Sequence, residues 1–120
     1  MTPEVRETLS RARALLAAPE RWTQRADARE KTGYPCDARD VAAVSWCLVG
    51  AIGASATDEP KDDVRLSTIT VETLYELSSL AFSTLPDYDG LAFYNDAPER
   101  THADVLALLD RALAVEESAP

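Results

Sequence analysis

The sequence predicts an all-α fold, a compact bundle of about four helices around a central apolar helix, in one domain spanning residues 1–120. Residues 41–56, VAAVSWCLVGAIGASA, are apolar or small at almost every position, which is typical of a helix buried on all sides. The flanking segments repeat apolar residues at spacings of three and four. A chain of 120 residues with a 46% hydrophobic fraction can form one core without metal or disulfide support.

The first helix is predicted over residues 3–18. Thr2 followed by Pro3 is typical of an N-cap and a first helical position. Pro19 restricts the residue before it, so the helix should end near residue 18. Four apolar residues share one helical stripe: Val5, Leu9, Ala12 and Leu16.

Residues 22–35 show little periodicity and contain a turn signal at Lys31-Thr32-Gly33. Two interpretations stay open here, a structured loop and a small β-hairpin with WTQ and YPC as its arms. The central helix is predicted over 38–56, with Asp37 or Asp40 as its cap.

The third helix is predicted over 68–84 and the fourth over 101–116. Ser67 or Thr68 can begin the third helix, and Thr101 with Asp104 has the spacing of a capping box. Residues 91–94 are apolar and predict a single helical turn. One face of the third helix collects apolar residues: Val71, Leu74, Tyr75, Ala81, Phe82 and Leu85.

The formal net charge of −9 is unevenly distributed along the chain. Residues 1–40 contain eight basic and seven acidic side chains, whereas residues 41–120 contain four and fourteen. This balance argues against direct nucleic-acid binding and against anionic membrane surfaces, because both need clustered Lys and Arg. It favours a basic protein partner. The apolar segment is too short to span a bilayer, and the N-terminus does not resemble a signal peptide, so we expect a cytoplasmic protein.

Four segments of the chain occur together in a known group of proteins: Trp22-Thr23-Gln24, Cys36, Trp46-Cys47 with Gly50-Ala51, and residues 91–112. Because of these segments, the chain resembles a family of short uncharacterised proteins of actinobacteria and their phages. The resemblance covers roughly residues 20–113. That family pairs a Trp-Cys-x-x-Gly-Ala segment with a Trp-Asn-Asp-Ala-Pro segment. This chain has Tyr94 where the resemblance implies Trp, and Arg25 where Gly is common. The resemblance implies no established activity and no catalytic residues.

Three catalytic or metal-binding arrangements can be drawn from the sequence, and none is favoured. Cys47, His102 and Asn95 or Asp96 could form a nucleophile, base and orienting group, but Cys47 is predicted inside the apolar helix, where a thiol is inert. Cys36, Cys47 and His102 do not supply the four closely spaced ligands of structural zinc. The spacing of four oxygen-bearing side chains does not match a calcium-binding loop: Asp87, Asp89, Asn95 and Asp96. We therefore predict no metal, no cofactor and no catalytic residue.

The candidate binding residues are Trp22, Tyr94, Asn95 and Asp96. Two aromatic rings with two polar groups could line a small surface pocket. Alternatively, the Asn and Asp side chains bond to loop amides.

Three functional hypotheses follow. The first is a small acidic, non-catalytic protein-interaction or regulatory protein, and the resemblance adds a phage-type inhibitor of a host protein. The second is a small-molecule binder or small enzyme that uses the Trp22, Tyr94, Asn95 and Asp96 patch. The third is a homo-oligomer sealed by the apolar faces near 41–56 and 71–85.

Overall fold

The structure of the protein, a computed structural model, describes residues 1–58, 67–81 and 88–115. These residues form five α-helices and a small three-stranded antiparallel sheet. The all-α prediction is therefore wrong, because part of the predicted central helix is a strand, and it pairs with one of two further strands that form a hairpin. The sheet is small beside the helices.

The helices of the described residues are α1 (Pro3–Leu15), α2 (Leu48–Ser55), α3 (Thr68–Ala81), α4 (Tyr88–Asp96) and α5 (His102–Ala114), with a 3₁₀ turn over Pro19–Arg21. The strands are β1 (Ala28–Glu30), β2 (Pro35–Cys36) and β3 (Ala43–Trp46), in the order β2-β1-β3. In the described ranges no helix has both the length and the apolar character needed to cross a membrane.

The outer helices α1 and α5 begin where their capping residues predict. The Thr2 hydroxyl accepts a hydrogen bond from the Val5 amide at 3.2 Å. The side chain of Thr101 accepts from the Asp104 amide, and the Asp104 carboxylate accepts from the Thr101 amide, which completes the capping box. Each helix is two or three residues shorter at its C-terminus than the sequence predicts.

The central apolar segment is not one helix over 38–56. Its first part is β3, which pairs with β1 so that Ala28 lies opposite Trp46 and Arg29 opposite Ser45. The chain changes from strand to helix at Cys47, and α2 spans only eight residues. Pairing with β1 satisfies the backbone of residues 43–46 in a way that the segment taken by itself does not reveal.

A hairpin does occur within residues 22–36; its second arm lies in the predicted YPC segment, whereas its first arm is not WTQ. Its strands are β1 and β2, and Gly33 takes a φ of 92° in the connecting turn, a conformation that glycine adopts without strain. Residues 22–24 are not the first arm. Instead, Trp22 forms an isolated parallel bridge with Trp46 of β3, at the edge of the sheet opposite β2.

The core is a cluster of buried side chains from all five helices. Helix α1 packs against α2, α3 and α5, and α3 also packs against α4 and α5. The largest fully buried apolar side chains are Val5, Leu9, Leu16, Leu48, Val49, Ile52, Leu77, Leu91, Val105 and Leu109. Helix α4 covers nine residues where the sequence predicts a single turn. The predicted end of the third helix, residues 82–84, lies outside the described residues.

Candidate functional site

The predicted binding residues come from two separate parts of the chain that the fold brings together. Trp22 ends the 3₁₀ turn over Pro19–Arg21, while Tyr94, Asn95 and Asp96 form the last turn of α4. Trp22, Asn95 and Asp96 meet through hydrogen bonds, and we call these three side chains the Asn95 cluster. Tyr94 lies apart from them.

Asn95 is the centre of the cluster and is fully buried. Its side-chain oxygen accepts from the Trp22 indole N–H at 2.7 Å and from the Leu48 amide at 3.0 Å. Its amide nitrogen donates to the Thr23 carbonyl at 3.1 Å and to Asp96 Oδ1 at 3.0 Å. All four interactions satisfy groups inside the chain, so this amide joins the loop at residue 23, the start of α2 and the end of α4.

Asp96 and Gln24 extend the same connections to the loop before β1. Asp96 Oδ1 accepts from the Arg25 amide at 2.9 Å, and Arg25 has a φ of 65°. The Gln24 amide nitrogen donates to the carbonyls of Asn95 and Ala97, at 2.8 and 3.1 Å. These two carbonyls lie at the C-terminal end of α4, where backbone acceptors need partners from outside the helix.

Tyr94 contacts a different neighbourhood. The Arg100 guanidinium lies 3.7 Å from the centre of the Tyr94 ring, and its Nε donates to the Tyr94 carbonyl at 2.8 Å. The ring also borders a shallow groove of about 230 Å³ beside α5, with Asp104, Leu108 and Arg111. The structure therefore does not bring all four predicted residues into one pocket, and ligand binding by them stays a prediction.

Cys47 occupies the N-cap of α2, and its predicted place inside a helix is wrong. Its sulfur accepts from the Gly50 amide at 3.2 Å, and its own amide donates to the Asp27 carbonyl at 3.1 Å. A helix N-terminus generally lowers a thiol pKa. Here burial dominates and raises the pKa of Cys47 to about 12, so the sulfur stays protonated at neutral pH.

The partners proposed for a Cys47 nucleophile bond elsewhere. His102 Nε2 lies 2.6 Å from the Leu16 carbonyl, to which it donates, and links the end of α1 to the start of α5. The Asn95 amide is held by Trp22 and Leu48, as described above. Among the described residues no group of three or more His, Cys, Asp or Glu side chains could hold a metal ion. Asp87 of the calcium arrangement lies outside them.

Two arginines that the sequence does not single out hold the surrounding loops. The Arg29 guanidinium donates to Thr23 Oγ1 and to the carbonyls of Gln24 and Gly33, at 2.9 to 3.0 Å. The Arg39 guanidinium donates to three carbonyls at the end of α2, those of Gly53, Ala56 and Asp58. No motif marks either residue, because their partners are mostly backbone carbonyls that carry no sequence signature.

A surface groove beside α3 is a second candidate site, which the sequence does not predict. The sequence places Val71 and Tyr75 on the core face of the third helix, but they are 38% and 57% exposed. They border a groove of about 540 Å³ with the start of α1, and we call it the α3 groove. Glu72 and Glu76 lie beside them, and neither carboxylate has an ion-pair partner in the described part of the chain. The periodicity is correct for a helix, but the buried face is centred on Leu74 and Leu77 instead.

Comparison with known sequences places the chain in a family. The sequence model of DUF6197, described as a family of unknown function, matches residues 1–115. The chain belongs to the DUF6197 family. No curated protein and no solved structure matches it. The match includes every residue of the Asn95 cluster and the whole α3 groove, and it confirms the predicted membership of an uncharacterised family.

In this DUF6197 member, three of the four segments quoted for the sequence resemblance meet in space: residues 22–24, 46–51 and 91–112. Trp22 and Gln24 bond to Asn95, Trp46 bridges to Trp22, and Gly50 lies directly against the Asp27 carbonyl. A Cβ at position 50 would lie 1.8 Å from that oxygen, so glycine is required there. Hence the described contacts of these segments are mainly internal.

Proposed function

We propose that the chain is a small acidic, non-catalytic protein that acts by binding another protein, in an interaction or regulatory role. The observation that supports this most directly lies on α3, where exposed apolar side chains stand next to carboxylates. Within the described ranges these carboxylates make no ion pair. Exposed Val71 and Tyr75 lie next to Glu72 and Glu76, on a chain of net acidic charge. Aromatic side chains on the surface are typical anchors of protein interfaces.

The proposal includes a cytoplasmic location and a partner of basic character. A net charge of −9 raises the local concentration of cationic partners and speeds their association. The narrower hypothesis, an inhibitor that a phage directs at a host protein, rests on the resemblance described under Sequence analysis.

The alternative hypothesis of a small-molecule binder or enzyme gains less support from the geometry. The polar atoms of Trp22 and Asn95 already bond to each other and to the backbone of residues 23 and 48. A ligand that used these atoms would have to replace bonds that hold α2 and α4 together. Loss of such buried bonds costs about 1–3 kcal/mol for each group left unsatisfied.

The test is capture of partners by the immobilised full chain from an actinobacterial lysate, with elution in steps of increasing salt. We expect retained proteins to be basic and to elute at moderate ionic strength, because exposed charge contacts are screened over about 10 Å at 0.1 M salt. A control chain with Asp62→Lys and Asp63→Lys should retain them less. If the retained proteins do not elute with salt, and the charge-reversed chain retains them equally well, the acidic-surface proposal is contradicted.

A further inference from the structure

The α3 groove has two parallel rows of side chains with different chemistry. Val71 and Tyr75 form an apolar row, and Glu72 and Glu76 form an acidic row one residue further along. Each pair is separated by four residues, so its members project from the same helix face about 6 Å apart along the axis. Val5 of α1 closes the apolar side of the groove.

The acidic row is an arrangement that folding alone does not favour. Like charges four residues apart on a helix repel each other and destabilise it slightly. In the described ranges neither Glu72 nor Glu76 makes an ion pair, although Glu7 pairs with Arg11 and Asp110 with Arg13. Within those ranges, the groove therefore offers two carboxylates that make no ion pair, beside an apolar strip that is open to solvent.

We propose that this groove binds an amphipathic helix of another protein, one that carries an apolar row flanked by Lys or Arg side chains four residues apart. Such a helix repeats the 6 Å spacing of α3, so its apolar row packs on Val71 and Tyr75 while its cations meet Glu72 and Glu76. The volume of about 540 Å³ accommodates several side chains of such a helix. This inference rests on the proposed function and names the class of partner.

A second copy of this chain fits the groove less well. Two such faces would bring acidic rows together, and each chain carries a net charge of −9. Neither row contains a cation that could neutralise the other copy. Charge complementarity therefore selects a basic helix over self-association.

The experiment uses fluorescence anisotropy to measure binding to the full chain of a fluorescein-labelled synthetic helical peptide, which carries a row of leucines four residues apart and, beside it, a row of lysines four residues apart. We expect Tyr75→Ala to raise Kd by about tenfold or more, because it removes the main apolar anchor. Glu72→Gln with Glu76→Gln should raise Kd by about 3- to 30-fold, the range for two exposed ion pairs. Circular dichroism checks that each variant is folded.

Matched controls separate the groove from general attraction between opposite charges. Tyr34→Ala removes another exposed tyrosine, on the hairpin, and Glu20→Gln with Glu99→Gln removes the same amount of negative charge elsewhere on the surface. Both controls should bind the peptide within about twofold of the original chain, a shift well below one hot-spot contact. A peptide with glutamate in place of lysine should not bind.

Three results would overturn the proposal that the α3 groove binds a basic helix. They are equal effects of groove and control variants, no binding of the lysine peptide, and a concentration-dependent dimer in sedimentation that Tyr75→Ala abolishes. The first leaves the proposed function intact if salt-sensitive lysate partners are still retained. Loss of those partners as well would remove the proposed function itself.

Discussion

Replacing Asn95 with alanine should destabilise the fold more than any other single change in the Asn95 cluster. The substitution leaves the Leu48 amide without a partner in the buried interior, and it also frees the half-buried Trp22 indole N–H and the Thr23 carbonyl. A buried unsatisfied group costs about 1–3 kcal/mol. With the full cost at Leu48 and a partial cost at the other two, the total is about 3 kcal/mol. That is a large share of the roughly 5–15 kcal/mol that stabilises a typical domain.

Urea denaturation followed by circular dichroism measures this loss. With an m-value of about 1.5 kcal/mol per molar, the midpoint for Asn95→Ala should fall by about 2 M. A double-mutant cycle with Trp22→Phe then isolates one bond, because a phenylalanine ring has no N–H to leave unsatisfied. Asn95→Ala should cost about 1 kcal/mol less in that background. A cost below about 1 kcal/mol for Asn95→Ala alone, or additive effects in the cycle, would refute the network described here.

Three further predictions concern other parts of the structure. In thermal denaturation, Gly50→Ala should unfold or strongly destabilise the chain, because the added Cβ would overlap the Asp27 carbonyl. Gly33→Ala meets open space but places alanine at a positive φ, so it should cost about 1 kcal/mol. Similar effects of the two variants would contradict the close approach at position 50. A thiol reagent at pH 8 should modify Cys36 but not Cys47 in the folded chain, because Cys36 is only partly buried whereas Cys47 is buried and its pKa is raised to about 12. Denaturant should expose both thiols, and two reactive thiols before denaturation would count against the buried N-cap. The hydrogen bonds of the capping box hold the pKa of Asp104 below its usual 3.8, so its stabilisation is present at neutral pH and is lost as the pH falls through the lowered value. Asp104→Ala should therefore lower the melting temperature at pH 7, and this effect should shrink as the pH is lowered through the acid range. An effect that does not change with pH would show that the charge is not involved.

The outer helices could be predicted from the sequence because their signals are local. A cap such as Thr2 or Thr101, followed by apolar residues at spacings of three and four, identifies a helix without knowledge of the rest of the fold. The prediction failed at residues 41–56 for the opposite reason. A segment that is apolar or small at almost every position has no clear period, so strand and helix cannot be distinguished within it. Pairing of Ala28 with Trp46 decides the outcome, and that contact joins distant residues.

In the candidate site, too, local features could be predicted from the sequence, whereas contacts between distant residues could not. Trp22, Asn95 and Asp96 could be selected because aromatic side chains together with polar groups are typical of a small binding patch. Their partners could not be predicted, since the Leu48 amide and the Thr23 carbonyl are backbone groups that nearly every residue carries. The exposure of Tyr75 was also missed, because a helical stripe shows which residues share a face but not which of two adjoining faces packs inward.

The bond between Asn95 and the start of α2 has a consequence for synthesis of the chain. Leu48 leaves the ribosome well before its partner, which follows 47 residues later. A helix of eight residues is too short to persist alone, so α2 should remain unformed in the nascent polypeptide until α4 has emerged. Chains truncated before residue 95 should accordingly be degraded rapidly by proteases. The helical core then acquires its native structure only after α4 has been synthesised, instead of assembling progressively from its first half.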